Sequence, residues 1–161
     1  MLDISSISAL VAAVGVIVGV VFAVLQLRDL VKARQTDIVM RLFASFSTKE
    51  FQEANSEVGS LRCEDYNDFV NKYGSFDSNK PIHIAISILA QFFEALGVLV
   101  HRNLVDIGLV MDLYTVSPRW EKLKPIAEGL RKQFNEPRLM EWFEYLSNEM
   151  KKREQTLQAQ Q

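Results

Sequence analysis

The chain has 161 residues, 48% of them hydrophobic, with 18 Lys and Arg against 20 Asp and Glu. Its 7 Gly, 4 Pro and single Cys exclude collagen-like, low-complexity and disulfide-scaffold proteins. The charges are unevenly distributed, since residues 4–27 carry none and the chain from Arg28 onward carries 18 basic and 19 acidic side chains. This nearly neutral second part lacks the strongly basic surface that nucleic-acid binding requires, so no nucleic-acid partner is expected.

The uncharged stretch 4–27 predicts a transmembrane helix. At ~1.5 Å per residue it would extend about 36 Å, more than the ~30 Å of a hydrocarbon core. A cleaved signal peptide is the alternative, with Val21-Phe22-Ala23 as a weak cleavage site, but signal peptides have a basic start and an apolar run of only ~7–15 residues. Because the residues before this run include Asp3 but no Lys or Arg, and because the run is longer, we expect an uncleaved anchor whose first partner is the lipid bilayer.

Positive charges follow the anchor directly, at Arg28, Lys32, Arg34 and Arg41, whereas Asp3 is the only charged side chain before it. Short segments rich in Lys and Arg stay on the cytoplasmic side of a membrane. The flanks therefore predict a single-pass protein of the cell membrane, with its amino terminus outside and everything after Arg28 in the cytoplasm.

Small residues lie along one face of the predicted anchor, because their spacings of 4, 3, 4 and 4 match the helical repeat. They are Ser8, Ala12, Gly15, Gly19 and Ala23. Such a face lets two helix backbones approach closely, which favours association in lipid. Gly and Ala are also common in membrane helices without any such role, but five aligned small residues favour a homo-oligomer.

Beyond the anchor, apolar residues recur every three or four positions without sustained alternation, which favours helices throughout. This part also holds 15 of the 16 aromatic residues, enough for a hydrophobic core. We expect an all-α protein in which one transmembrane helix precedes a cytoplasmic bundle of four or five helices. A juxtamembrane helix over 28–46 would lead into the bundle at 47–154, and residues 155–161 would form a frayed tail.

Local signals predict the helix limits. A capping-box pattern at Ser47-Thr48-Lys49-Glu50 opens a helix to about Ser60, and 74–79 form a break after a short helix over 64–73. Pro81 fits the first turn of a long helix to about Arg102. A turn at 103–106 is then expected, followed by a short helix to about Tyr114. Ser117-Pro118 opens the next helix, which Pro125 should kink or split at Lys124. The last predicted helix runs from Pro137 to about Glu154.

The segment 82–100 is apolar and nearly long enough to be a second membrane span. Its polar side chains form one narrow stripe, since they fall at steps of 4, 4, 3 and 7. They are His83, Ser87, Gln91 and Glu94, followed by His101 just after the segment. A central bundle helix with one edge facing water explains this stripe, whereas a membrane span would place Glu94 in hydrocarbon. We therefore expect the bundle helix.

Groups that could carry chemistry are few. His83 and His101 are 18 residues apart, about 27 Å along a helix, which is too far for one metal ion. The acidic neighbours of Cys63 disfavour a reactive thiolate. The favoured interpretation of Glu94 is one partner of a buried ion pair. The alternative is a group that titrates with a raised pKa beside a ligand. Its predicted ion-pair partners are Arg102, Arg119 and Arg131. We expect no catalytic residue, no metal and no cofactor.

Several segments carry a resemblance to a known family. They are the amino-terminal span, FFEALGVLVHRNLVDIGLVMDLY at 92–114, Trp120 ahead of a proline-bearing helix with Arg131, and MEWFEYL at 140–146 after Pro137. In this order they resemble an uncharacterised prokaryotic family of single-span proteins with a cytoplasmic helical domain of unknown function. The resemblance covers most of the chain, implies a four- or five-helix domain on the cytoplasmic face, and carries no catalytic residue.

These observations predict a non-enzymatic, membrane-anchored scaffold or docking protein that associates with itself, with its protein partner left open. An oligomeric gated pore or membrane effector is the alternative, although only Ser5, Ser6, Ser8 and Gln26 could supply a polar lining. A third hypothesis is an enzyme or binding protein for a hydrophobic ligand, centred on Glu94.

Overall fold

The computed structural model describes residues 3–76 and 80–159, with side chains described except at 4–7, 9 and 10. All regular secondary structure in these residues is helical, which confirms the all-α prediction. The helices are α1 (Ile4–Phe46), α2 (Lys49–Ser60), α3 (Tyr66–Tyr73), α4 (Pro81–His101), α5 (Ile107–Leu113), α6 (Ser117–Phe134) and α7 (Glu141–Gln158). The chain divides into two compact units, Met1–Met40 and Arg41–Gln161, so the division lies within the predicted juxtamembrane helix.

The first unit consists of α1 up to Met40. Every residue from Val11 to Arg34 is exposed, including large apolar side chains such as Leu30, which is 67% exposed. Two segments of the described chain are long and apolar enough to cross a membrane. One is Val11–Phe46, whose most apolar window is entirely exposed, and the other is Pro81–His101, whose most apolar window is half buried.

The second unit is built around α4, which packs against α2 and α7. Ten residues of α4 are buried, among them Phe93. The ring of Phe93 stacks on Phe143 of α7 at 4.7 Å between centroids, and Phe143 in turn contacts Trp120 of α6 at 5.2 Å. Burying each such side chain stabilises a fold by roughly 1.5–3 kcal/mol. This packing is that of a central bundle helix, as predicted for 82–100.

The crossing of α4 and α7 depends on a glycine. A Cβ atom added to Gly97 would overlap the carbonyl oxygen of Trp142 and lie 2.7 Å from its carbonyl carbon. Real Cβ atoms do not approach other atoms so closely, so any larger residue would push the two helices apart. Gly97 therefore allows the backbones of α4 and α7 to touch.

The end of α1 belongs to the second unit through its aromatic side chains. Phe46 packs on Phe51 of α2, with ring centroids 4.8 Å apart, and on Tyr114 at 4.9 Å. Phe92 of α4 completes this cluster, at 4.7 Å from Phe51. The core therefore extends to the last turn of α1.

Most helix starts agree with local signals, with small shifts. Thr48 rather than Ser47 caps α2, because its hydroxyl accepts a hydrogen bond from the Phe51 N–H at 3.3 Å. Asp65 caps α3, which starts two residues later than predicted. Residues 77–79 of the predicted break lie outside the described residues. The predicted split at Lys124 is wrong, because α6 continues through Pro125. Buried side chains on both sides of Pro125, such as Trp120 and Leu130, hold the helix together despite the missing N–H.

The predicted start of the last helix at Pro137 is also wrong, because α7 begins at Glu141. Met140 has φ 58° and ψ 30°, a left-handed conformation that cannot lie inside a right-handed helix. The preceding residues 137–140 form a turn. At the other end α7 continues to Gln158, past the predicted limit at Glu154, while residues 160 and 161 of the predicted tail lie outside the described residues.

Candidate functional site

The amino terminus of α7 is capped by a side chain from another helix. Met140 occupies the N-cap position and has no side-chain oxygen to accept from the free N–H groups of the first turn. Glu94 of α4 supplies that oxygen, since its Oε2 accepts a hydrogen bond from the Phe143 N–H at 2.8 Å. A carboxylate at this position also interacts favourably with the positive end of the helix dipole.

The environment of Glu94 opposes its ionisation. Burial raises the pKa of the Glu94 carboxyl above its ordinary value, and the nearby Glu141 carboxylate adds to this effect. Hydrogen bonds from the backbones of Phe143 and Trp142, and the positive charge of Arg131, act in the opposite direction but are outweighed. The proton is therefore held more tightly at Glu94 than at an exposed glutamate.

The predicted ion pair of Glu94 is not the contact observed. Within the described residues, Arg131 pairs with Glu144 at 2.8 Å and donates a second hydrogen bond to the Leu139 carbonyl at 2.8 Å. Arg119 donates to Asn55 at 2.6 Å, and Arg102 is exposed. The physical reason is the later start of α7, which brings unsatisfied backbone N–H groups to the carboxylate that was predicted to pair with an arginine.

A cleft of about 440 Å³ lies beside Glu94, between α4 and the connection from α6 to α7. Its volume falls in the range of about 300–1,000 Å³ that is typical of small-molecule sites. Most of its lining is apolar, from Phe76, Ala90, Leu130, Phe134, Leu139 and Met140. Phe134 remains 51% exposed at its edge.

The charged groups around this cleft are mostly acidic. Glu94 and Glu136 line it, together with Arg138, whose Nε donates to both carboxylate oxygens of Glu141 at 2.8 and 2.9 Å. This pairing raises the pKa of Arg138 and lowers the pKa of Glu141, so the two charges offset each other. The net charge of the ionisable side chains around the cleft is therefore negative.

The polar stripe of α4 faces water only in part, which corrects the predicted exposed edge. Gln91 and His101 are exposed, but His83 is only 4% exposed because the rings of Phe69 and Phe76 cover it at 5.6 and 4.9 Å. Ser87, in the middle of the stripe, donates to the His83 carbonyl at 2.9 Å and lines the cleft. The stripe therefore faces α3, the cleft and the start of α7 in turn.

The residues predicted for oligomerisation and topology lie in exposed positions. Ser8, Ala12, Gly15, Gly19 and Ala23 are all exposed on α1, and a Cβ added to Gly15 or Gly19 would have no atom within 4 Å. Arg28, Lys32, Arg34 and Arg41 are exposed as well. The side chains of Ser5 and Ser6, named for a pore lining, lie outside the described residues. Self-association and orientation stay predictions.

The surroundings of Cys63 disfavour its thiolate form. Burial raises its pKa above the ordinary value, and Asp68 raises it further, although Lys72 and Lys122 act in the opposite direction. A raised pKa leaves less thiolate, the nucleophilic form. Among residues 3–76 and 80–159, no three His, Cys, Asp or Glu side chains converge as a metal site would require.

The structure defines an all-α protein in which an exposed apolar helix precedes a bundle organised around α4. A family model described as "Domain of unknown function (DUF4760)" matches residues 10–150, and the chain belongs to this family. Neither a curated protein nor a solved structure matches the chain. The resemblance to an uncharacterised family is confirmed, while a prokaryotic origin and a single membrane span stay predictions.

Proposed function

We propose that this protein is a non-enzymatic, membrane-anchored scaffold or docking protein that associates with itself and holds its helical domain in the cytoplasm. The exposure of α1 from Val11 to Arg34 is the observation that carries this proposal. The apolar part of that surface is costly in water, at roughly 25 cal/mol per Å². A bilayer removes this cost, and the length of the apolar run suits one crossing.

Self-association is supported by the shape of the anchor. Gly15 and Gly19 leave a shallow groove on the helix face that also carries Ser8, Ala12 and Ala23, and open space surrounds both glycines. In lipid, two such faces gain van der Waals contact when their backbones approach closely. An anchor that pairs in this way would bring several copies of the helical domain together, which is how a scaffold presents repeated docking surfaces.

The native mass in mild detergent tests self-association. We expect the wild-type chain to form an oligomer and the double variant Gly15→Ile/Gly19→Ile to form a smaller species. Ala13→Ile is a control for an added isoleucine side chain, which it places about 120° from the centre of the small-residue face, at 100° per residue. A monomeric wild type, or a double variant of unchanged size, would contradict the proposal.

Cysteine labelling tests the anchor and the orientation. In a Cys63→Ser background, Asp3→Cys should react with a membrane-impermeant maleimide on intact cells. Glu57→Cys and Asp112→Cys, which flank α4, should both react only after permeabilisation. External labelling of Asp112→Cys alone would instead show that α4 crosses the membrane, and recovery of the chain in the aqueous fraction would refute the anchor. Single-channel conductance in liposomes would favour the pore.

A further inference from the structure

We propose that the cleft between α4 and the α6–α7 connection is a binding site for a small amphiphilic amine, with its apolar body in the cleft and its cationic head on Glu94. This site goes beyond the scaffold function, since it would let the helical domain respond to a ligand.

The apolar part of the ligand is indicated by the lining. The cleft has a volume of about 440 Å³. Its apolar lining includes Leu130 and Phe134 of α6 and Leu139 and Met140 of the connection. Phe134 keeps half of its surface exposed there although it could bury more of it against a ligand. A ring or a short branched alkyl group matches a cleft of this size and lining.

The sign of the head group is indicated by the charges. Glu94 and Glu136 contribute carboxylates, whereas the cation that lines the cleft, Arg138, is held by both oxygens of Glu141. Arg131, whose positive charge acts on the Glu94 carboxyl, is held by Glu144. An anionic head would meet carboxylates without an uncommitted cation among the lining residues, so a cationic head is favoured.

Glu94 retains the capacity to accept a ligand. A carboxylate offers about four acceptor positions, and hydrogen bonds from the Phe143 and Trp142 backbones occupy two of them. Ser87 and Gln91 lie on the same face of α4, seven and three residues before Glu94, and also line the cleft. Since the Ser87 hydroxyl donates to His83, its oxygen is left to accept. An ammonium group has three donors, which this row of acceptors can satisfy.

Ligand-observed NMR on the full chain in lipid nanodiscs tests the site, with empty nanodiscs as the blank. The probes are cyclohexylmethylamine, cyclohexylmethanol and cyclohexanecarboxylate, which share one apolar body. We expect saturable binding of the amine, weaker binding of the alcohol and none of the carboxylate. Equal binding of amine and carboxylate, or binding that empty nanodiscs reproduce, would overturn the proposal.

Glu94→Gln is the decisive variant, because an amide oxygen can still accept from Phe143 and keep α7 capped. It should weaken amine binding by about tenfold or more, as expected for a lost charge-assisted hydrogen bond, and change alcohol binding by less than about twofold. Glu136→Gln removes the same charge at the edge and should have a smaller effect. Unchanged amine affinity in Glu94→Gln would refute the assignment of the head group.

The pH dependence gives an independent check. The groups around Glu94 are Glu141, Trp142 and Phe143 of α7 and Arg131 of α6. Amine binding should strengthen as pH rises through the titration of Glu94, and Glu94→Gln should lose this dependence. A pH profile that is the same in both proteins would overturn the proposal.

Discussion

Glu94 and Phe143 are joined by a hydrogen bond across 49 residues of sequence, in which the carboxylate of α4 caps the first turn of α7. Caps are usually local, supplied by the residue just before the helix. Here that residue is Met140 in a left-handed conformation, so the cap comes from the packing partner. The contact links the start of α7 to the middle of the most buried helix of the domain.

Removing this cap should destabilise the domain. We expect Glu94→Ala to lower the free energy of unfolding by about 1–2 kcal/mol, the usual effect of deleting an N-cap oxygen. Glu94→Gln should lose less, because its amide oxygen can accept from the Phe143 N–H. Urea unfolding followed by tryptophan fluorescence measures both values. Equal losses in the two variants would show that the charge, and not the acceptor, stabilises α7.

The pH dependence of stability should carry the signature of a raised pKa at Glu94. The folded state binds this proton more tightly than the unfolded state, in which the pKa is near its ordinary 4.5. The stability that the raised pKa of Glu94 contributes is therefore fully present below the unfolded-state pKa. It is lost as the pH rises through the pKa of the folded state. Asp68 and Glu141 have lowered pKa values and act with the opposite sign, and their side chains are 29% and 30% exposed.

The comparison with Glu94→Gln isolates this effect. The stability of Glu94→Gln relative to wild type should increase as pH rises from about 4.5 to neutrality, because only the wild type must ionise a half-buried carboxyl. Chemical unfolding at a series of pH values measures the difference. A difference that falls with pH would mean that Phe143 and the helix dipole outweigh burial.

Gly97→Ala should separate α4 from α7. The new methyl group would overlap the Trp142 carbonyl, and overpacking of this kind costs about 1–3 kcal/mol or more. Gly59→Ala is the matched control, since its methyl group would lie an ordinary 3.8 Å from the Arg119 guanidinium. That change should stabilise α2 by about 0.5–1 kcal/mol through helix propensity. Thermal unfolding of both variants provides the measurement, and a stable Gly97→Ala protein would contradict the close crossing.

Tyr114→Phe should leave stability unchanged or raise it by up to about 1 kcal/mol. The Tyr114 hydroxyl is buried and has no hydrogen-bond partner among the residues that the structure describes, and burial raises its pKa. Its ring packs against Phe46 and Phe92, contacts that phenylalanine would keep. Tyr114→Ala should cost about 3–5 kcal/mol through the cavity it leaves. A loss above about 1 kcal/mol in Tyr114→Phe would reveal a use for the hydroxyl.

Helix positions could be predicted where the signals are local. Thr48 and Pro81 stand directly at the starts of α2 and α4, and Gly74 ends α3 with φ 90°. The start of α7 could not be predicted in the same way. Pro137 is a typical first-turn residue, but the helix begins after Met140, where the cap comes from Glu94 of a distant segment.

In the candidate site, too, local sequence predicts one residue but not the distant group that it contacts. Glu94 is identifiable in the sequence because it is the one acidic side chain between Ile82 and Val100. Its partner is a backbone group, which every residue carries, so no residue type points to it. The cleft likewise depends on how α4 and α6 meet, and only Glu94 among its lining residues was predicted as a candidate site residue.

The long-range cap on α7 also has a consequence for biosynthesis. Ribosomes extend the chain from its amino terminus, so α4 emerges before α7 does. The carboxylate that completes the first turn of α7 is then already present when that turn leaves the ribosome, whereas α4 has to wait for the surface that covers Phe93. The first turn of α7 can therefore form its hydrogen bond with the Glu94 carboxylate as soon as it emerges.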